Sequence, residues 1–382
     1  MSATPHGRRP KRMALVMVGG AVVLTTVMVP TAAMADEITF QNSNTVNAGG
    51  SFANSGGNVA IGNASTNVAG TGQGAAGGIA SNNADTSNTS NGTATISTGA
   101  ATATGSIADN DTDQSVAGTG DDDGLGVGVQ NSTVVNGGIA ASNSGGNIGV
   151  GNGSTNIAGT GQGAIGGVAS NSADTTNTSN GTATIVTGPA TATGTSSAND
   201  VDQSIHSGVE DGLAVLVQSA DVINIGGAIA NSGGNAALGN VSTNIAGTGQ
   251  GALGLIANNN ASTGNTSNGT ATITTGVATA VGNLAKNSVD QGISGPDGDD
   301  LLAVVFQHAL AANIGVGIAN SGLNAVLGNG SFNAGLVGQG AAGLIANNVS
   351  DLINKSDGAG IIGTGAATGT GNTADNDIKQ NS

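Results

Sequence analysis

The chain repeats itself, and a repeat of fixed long period constrains its fold more than any single motif does. Ser-Gly-Gly-Asn begins at Ser55, Ser144 and Ser232 and returns as Ser-Gly-Leu-Asn at Ser321. Gly-Gln-Gly-Ala begins at Gly72, Gly161, Gly249 and Gly338, and Ser-Asn-Gly-Thr-Ala-Thr-Ile begins at Ser90, Ser179 and Ser267. Gln114, Gln203, Gln291 and Gln380 close the copies, and every anchor steps by 88 or 89 residues. The copies occupy residues 36–120, 121–209, 210–297 and 298–382, leaving no length for a separate catalytic domain. The last copy departs from the others between Val349 and Ile362, which fits either a terminal repeat that caps the stack or simple sequence drift.

The residues that fill the repeat narrow the fold class. Glycine supplies 69 of 382 residues, aromatic residues are 1% and there is no cysteine. The apolar content is Ala, Val, Ile and Leu, enough for a thin core only. Each copy opens with alternation: Ile38 and Phe40 before Gln41, Leu125, Val127 and Val129 before Gln130, Leu213, Val215 and Val217 before Gln218, and Leu302, Val304 and Phe306 before Gln307. Period two puts each set on one face of a strand. Beyond it, short strand-like pieces such as Asn58–Ile61, Asn67–Ala69 and Thr93–Ile96 stand between Gly and Asn, and glycine with β-branched residues excludes long helices. The expected fold is all-β, a β-solenoid of four tandem repeats, in which equivalent Asn and Gln side chains stack in ladders. Asn67, Asn156, Asn244 and Asn333 form one such set, and Gln73, Gln162, Gln250 and Gln339 another.

The N-terminus reads as an export signal. Arg8, Arg9, Lys11 and Arg12 precede an apolar run from Met13 to Pro30, and Ala33-Met34-Ala35 offers a cleavage site, so residues 1–35 are expected to be removed. The mature chain would keep Lys286, Lys355 and Lys379, no arginine, and all 23 acidic residues. Binding to nucleic acid or to an anionic membrane surface is not expected of so acidic a chain. Catalysis is not expected either: His206 and His308 are the only histidines after residue 35, and they occupy unlike places in their copies.

Three patterns point to binding or assembly. Asp109, Asp111 and Asp113 have the alternate-oxygen spacing of a calcium loop, although Gln114 stands where such a loop has glycine, and the acidic turns at Asp121–Asp123 and Asp297–Asp300 offer alternatives. Thr-x-Thr pairs recur at Thr93/Thr95, Thr182/Thr184 and Thr270/Thr272, and again at Thr102/Thr104, Thr191/Thr193 and Thr368/Thr370. They resemble the flat threonine face of ice-binding solenoids, which requires the pairs to lie on adjacent rungs. Ala359, Ile361 and Val281 interrupt the series. Finally, Gly153-Ser-Thr-Asn156-Ile-Ala158-Gly-Thr-Gly-Gln162 resembles half of a curlin repeat: Gly, Asn three on, Ala two on, Gln four on. Asn67, Ala69 and Gln73 match in the first copy, Asn244, Ala246 and Gln250 in the third, and Gly330, Asn333 and Gln339 in the fourth. Ala64, Val241 and Gly335 depart from the pattern, and Gly151 stands where its upstream Gln would fall, so the likeness covers about ten residues of each copy. It implies fibres, packed amide ladders and surface adhesion. Together these readings describe a secreted or cell-surface structural protein that self-associates into fibres or a coat, with a monomeric ice- or calcium-binding module as the alternative.

Overall fold

A computed structural model describes residues 37–119, 123–209, 211–294 and 301–381. Residues 1–35, read from the sequence as an export signal, and the acidic residues Asp36, Asp121, Asp122, Glu210, Asp297, Asp299 and Asp300 lie outside these residues. The fold is all-β and solenoid-like, built from long parallel strands. The first copy supplies β1 (Glu37–Asn54), β2 (Val59–Ser97) and β3 (Ala101–Thr119), and the second β4 (Asp123–Asn143), β5 (Ile148–Val186) and β6 (Ala190–Ser207). The third supplies β7 (Asp211–Asn231), β8 (Ala236–Leu253), β9 (Ile256–Thr274) and β10 (Ala278–Ser294). The fourth supplies β11 (Leu301–Asn320), β12 (Ala325–Ala342), β13 (Ile345–Gly363) and β14 (Ala367–Asn381).

Each strand pairs in parallel with its counterpart in the neighbouring copy. One sheet runs β1-β4-β7-β11, a second β3-β6-β10-β14, and a third joins β2 and β5 to β8 and β9 and then to β12 and β13. Asn47 thus stands beside Asn136, and Asn136 beside Asn224, which stands beside Asn313. Residues 88 or 89 apart thus stand side by side, and each tier of such strands is a level of the stack.

Within a level the chain doubles back on itself. Gln41 Nε2 donates to the backbone carbonyl of Ser115, 74 residues on, and Thr86 Oγ1 to Thr71 Oγ1, 15 residues back, so the level is a long, flat hairpin closed near Gly77. Its two arms meet through side chains, whereas backbone hydrogen bonds run between levels. The arms are staggered by half a level. Asn47 donates to Asn110 at 2.8 Å, and Asn110 donates onward to Asn136 of the next level at 3.0 Å.

The strands are far longer than the short pieces expected from the sequence. Glycine does not end them, because it serves close packing of the arms. A methyl group on Gly138 would collide with the carbonyl oxygen of Gly194, and one on Gly151 with the amide nitrogen of Thr182. Only a residue without Cβ admits such approach. Between these seams the apolar core is a set of small clusters. Ala140, Ala192, Ala230 and Ala280 belong to one, Ile185 and Ile273 with Ala183 and Ala237 to another, and Val134, Val201, Val222 and Val289 to a third.

Candidate functional site: amide ladders and open sheet ends

The interior is as polar as it is apolar, and repetition is what makes that tolerable. A buried amide left without a partner costs about 1–3 kcal/mol. Here most amides find their partner at the equivalent position of the neighbouring copy, one level away. Asn67 Nδ2 donates to Asn156 Oδ1, Asn156 to Asn244 and Asn244 to Asn333, each at 2.8 Å. Gln162 Nε2 donates to Gln73 Oε1 at 3.0 Å, Gln250 to Gln162 at 2.9 Å and Gln339 to Gln250 at 2.9 Å. All eight amides singled out from the sequence therefore stand in two continuous columns, and Asn156 and Asn244 are completely buried.

Further columns are not marked by any motif in the sequence. Asn47, Asn136, Asn224 and Asn313 on one arm interlock with Asn110, Asn199, Asn287 and Asn376 on the other. The bonds zigzag upward from Asn136 to Asn199 at 2.9 Å, from Asn224 to Asn287 at 3.0 Å and from Asn313 to Asn376 at 3.0 Å. The only signal for them is their equal place in every copy, which also holds for many surface residues. Threonine hydroxyls form a shorter column, Thr71–Thr86–Thr160–Thr175–Thr248–Thr263. In the last level Val337 and Leu352 take those positions and convert a hydrogen-bonded column into an apolar pair. Among the described residues only Ser132 Oγ, Ser142 Oγ, Asn177 Oδ1, Asp221 Oδ1 and Asn283 Oδ1 are buried without a hydrogen-bond partner.

The ladders have a direction. Interior asparagines donate toward the higher level, as in Asn63 to Asn152 to Asn240 to Asn329. Glutamines donate toward the lower one, as in Gln307 to Gln218 to Gln130 to Gln41. The first level thus turns asparagine carbonyls outward and the last level glutamine carbonyls, while in the last level Asn329 donates to Ser356 Oγ at 2.8 Å and Asn333 to the Lys355 carbonyl at 2.9 Å. Backbone follows the same logic. β1, β2 and β3 have no strand below them, and β11 to β14 have none above, among the described residues.

The outer faces carry the remaining candidates. Asp109, Asp111 and Asp113 lie on β3, a strand and not a loop, and alternate side chains on one strand face stand about 6–7 Å apart. Their neighbours on the stack are Asp200 beside Asp111, and Asp202 with Asp290 beside Asp113. Among the described residues no group of three or more His, Asp or Glu is placed to hold a metal ion. The crowd of carboxylates still has an effect: burial first, then the charges of Asp200, Asp290, Asp113 and Asp111, raises the Asp202 carboxyl above its ordinary value.

Nearby, the threonine pairs stand on adjacent levels of one outer face. Thr93 pairs with Thr182 and Thr182 with Thr270, and Thr95, Thr184 and Thr272 follow beside them. Across the turn, Thr102, Thr191, Thr279 and Thr368 make an unbroken column. In the end levels the opening strand also turns phenylalanine outward, Phe40 being 59% exposed and Phe306 61%, whereas Val127 and Leu216 of the inner copies are buried. The surface grooves are shallow, and one running across all levels is lined by glycine, alanine, Ile165 and Leu253. Comparison with protein-family models, with curated proteins and with solved structures finds no match.

Proposed function

We propose that the protein is an exported structural element: a β-solenoid of four turns, one sequence repeat to a turn, that stacks into fibres or a surface coat. The observation that carries this reading is the pair of open ends. Long parallel sheets that end in unpaired strand edges are templates for further strands, and soluble proteins ordinarily block them. The inward chemistry supports it too, because amide ladders and small residues are what cross-β assemblies use. The export signal, the absence of cysteine and the curlin-like half-motif are consistent with an extracellular fibre held by hydrogen bonds. Residues 67, 73 and their counterparts are then structural, and the acidic outer face keeps fibres dispersed. Negative-stain electron microscopy of the purified protein over a range of concentrations tests the proposal. Fibres that lengthen with concentration support it, and isolated flat particles at every concentration refute it.

The threonine face favours a second reading, an ice-binding surface. Rows of Thr methyl and hydroxyl groups would repeat about every 4.8 Å between levels and about 6.6 Å along each strand. Thermal hysteresis in the dispersed protein, abolished by Thr184→Lys, is the expected result. A freezing curve equal to that of an inert protein would remove the reading.

A further inference from the structure

We propose that copies of this chain join head to tail in register, the first level of one docking on the last level of another as its next turn. The inference rests on the self-assembly reading and adds partner, polarity and register to it.

Three independent features of the ends agree. The first is hydrogen-bond polarity. Among the described residues, Asn47, Asn63 and Asn67 of the first level offer Oδ1 atoms that accept no hydrogen bond, and Gln73 offers an unused Nε2. In the last level Gln339 offers the Oε1 atom that completes the Gln73 ladder, and Gln380 ends the column of Gln114, Gln203 and Gln291 in the same sense. Head-to-tail docking therefore sets Gln339 Oε1 against Gln73 Nε2 and the Asn313 amide against Asn47 Oδ1, and it lets Asn329 and Asn333, which donate to Ser356 Oγ and Lys355 O in the last level, donate also to Asn63 and Asn67, as Asn152 donates both to Ser154 Oγ and to Asn240. Two first levels meeting face to face would oppose carbonyl to carbonyl.

The second feature is the placement of the aromatic residues. The chain has four phenylalanines, Phe40, Phe52, Phe306 and Phe332. All lie in the first or last level. Phe40 and Phe306 share one column, separated by Val129 and Val217. An added level would bring Phe306 of one copy beside Phe40 of the next at about 4.8 Å, the distance between neighbouring strands. Both rings are exposed in the single chain.

The third is charge. Asp113, Asp202, Asp290 and Lys379 form one column, so its only cation stands at the last level. Docking places Lys379 between Asp290 and the Asp113 of the next copy. A contact that joins two different surfaces and does not close produces an open filament with a direction.

The chain has no cysteine, so cross-linking can read the contact. Asn42 and His308 share an outward column. Full-length Asn42→Cys and His308→Cys proteins are prepared separately, then assembled alone and as a mixture under mild oxidation. In-register docking brings the two Cα atoms to about 4.8 Å, inside the range a disulfide spans. Disulfide dimers in the mixture, with few in either protein alone, are expected, and Asn44→Cys with Leu310→Cys should behave alike. Fibres whose cross-links form within Asn42→Cys alone overturn the polarity while leaving self-assembly standing. Fibres with no cross-link in either pair overturn the register. Dispersed wild-type protein at every concentration overturns both. Phe306→Ser should raise the concentration needed for assembly roughly three- to tenfold, the worth of one aromatic pair. An unchanged threshold would refute the aromatic contact.

Discussion

Truncating one asparagine in the middle of the stack should cost several times what the same truncation costs at its end. Asn199 is 3% exposed and makes four side-chain hydrogen bonds. Its Oδ1 accepts from Asn110 at 2.6 Å and from Asn136 at 2.9 Å. Its Nδ2 donates to Asn287 at 2.6 Å and to Asn224 at 3.3 Å. At a net worth of about 1 kcal/mol each, with the long bond counting for less, Asn199→Ala should destabilise the dispersed protein by about 3–4 kcal/mol. Asn376, its counterpart two levels on, accepts from Asn287 at 2.6 Å and from Asn313 at 3.0 Å at the open end. Water can replace those bonds, so Asn376→Ala should cost about 1 kcal/mol. Guanidinium unfolding followed by circular dichroism, below the concentration of assembly, measures both midpoints. Equal shifts for the two variants would refute the claim that the ladder stabilises through burial and mutual satisfaction. So would a shift for Asn199→Ala corresponding to less than about 1 kcal/mol.

Leu323 sits at φ 58°, where the three earlier copies place Gly57, Gly146 and Gly234 at 77–79°. Leu323→Gly should therefore stabilise by about 1 kcal/mol, read as a higher melting temperature; no change would mean that the turn is not strained. Gly138→Ala would drive a methyl group into the carbonyl of Gly194, whereas Gly159 has nothing within 4 Å of an added Cβ. The first should abolish the cooperative melt, and alanine at Gly159 should shift stability by under about 0.5 kcal/mol. The raised carboxyl of Asp202 means that the folded state holds its proton more tightly than the unfolded chain does. Its contribution to stability is thus present at low pH and falls as pH rises through the carboxylate range. Asp202→Asn should remove that fall, and an unchanged pH profile of the melting temperature would count against the crowding of carboxylates around it.

The repeat made the pairing partner of nearly every residue readable, because a step of 88 or 89 aligns Asn67 with Asn156 and Gln73 with Gln162. It did not reveal which arm faces which. Asn47 and Asn110 lie 63 residues apart within one copy, and nothing local marks them as neighbours across the zipper. Strand length was hidden as well, since glycine reads as a breaker. Gly138 and Gly151 instead permit backbone to approach backbone. Nor could alternation tell inside from outside. Phe40 and Val129 look like core beside Thr39 and Gly128, yet Phe40 faces out and it is Gln130 that is buried. Small side chains on both faces weaken the contrast on which such readings depend.

The two repeat lengths supply the last and sharpest test of register. Pairing between the first and second copies holds an offset of 89 from Glu37 to Ala117, and pairing between the second and third holds 88 from Asp123 onward. The change falls between Ala117 and Thr119 and beyond, where the chain climbs from one level to the next, and it returns to 89 only after Ser294. No strand interior absorbs it. Because strand side chains alternate, one added residue inside β5 turns every later one to the opposite face. An alanine inserted after Asn177 would carry Ser179, Ala183 and Ile185 outward and bring Asn180, Thr182 and Thr184 inward. Ile185 is fully buried, and its exposure alone costs about 1.5–3 kcal/mol, before the serine and amide bonds of that arm are counted. The same alanine inserted after Ser207 enters the climb between levels and should leave the midpoint within about 1 kcal/mol. A β5 insertion that melts like the parent protein would show that a bulge can absorb the slip, and that the ladders do not set the register.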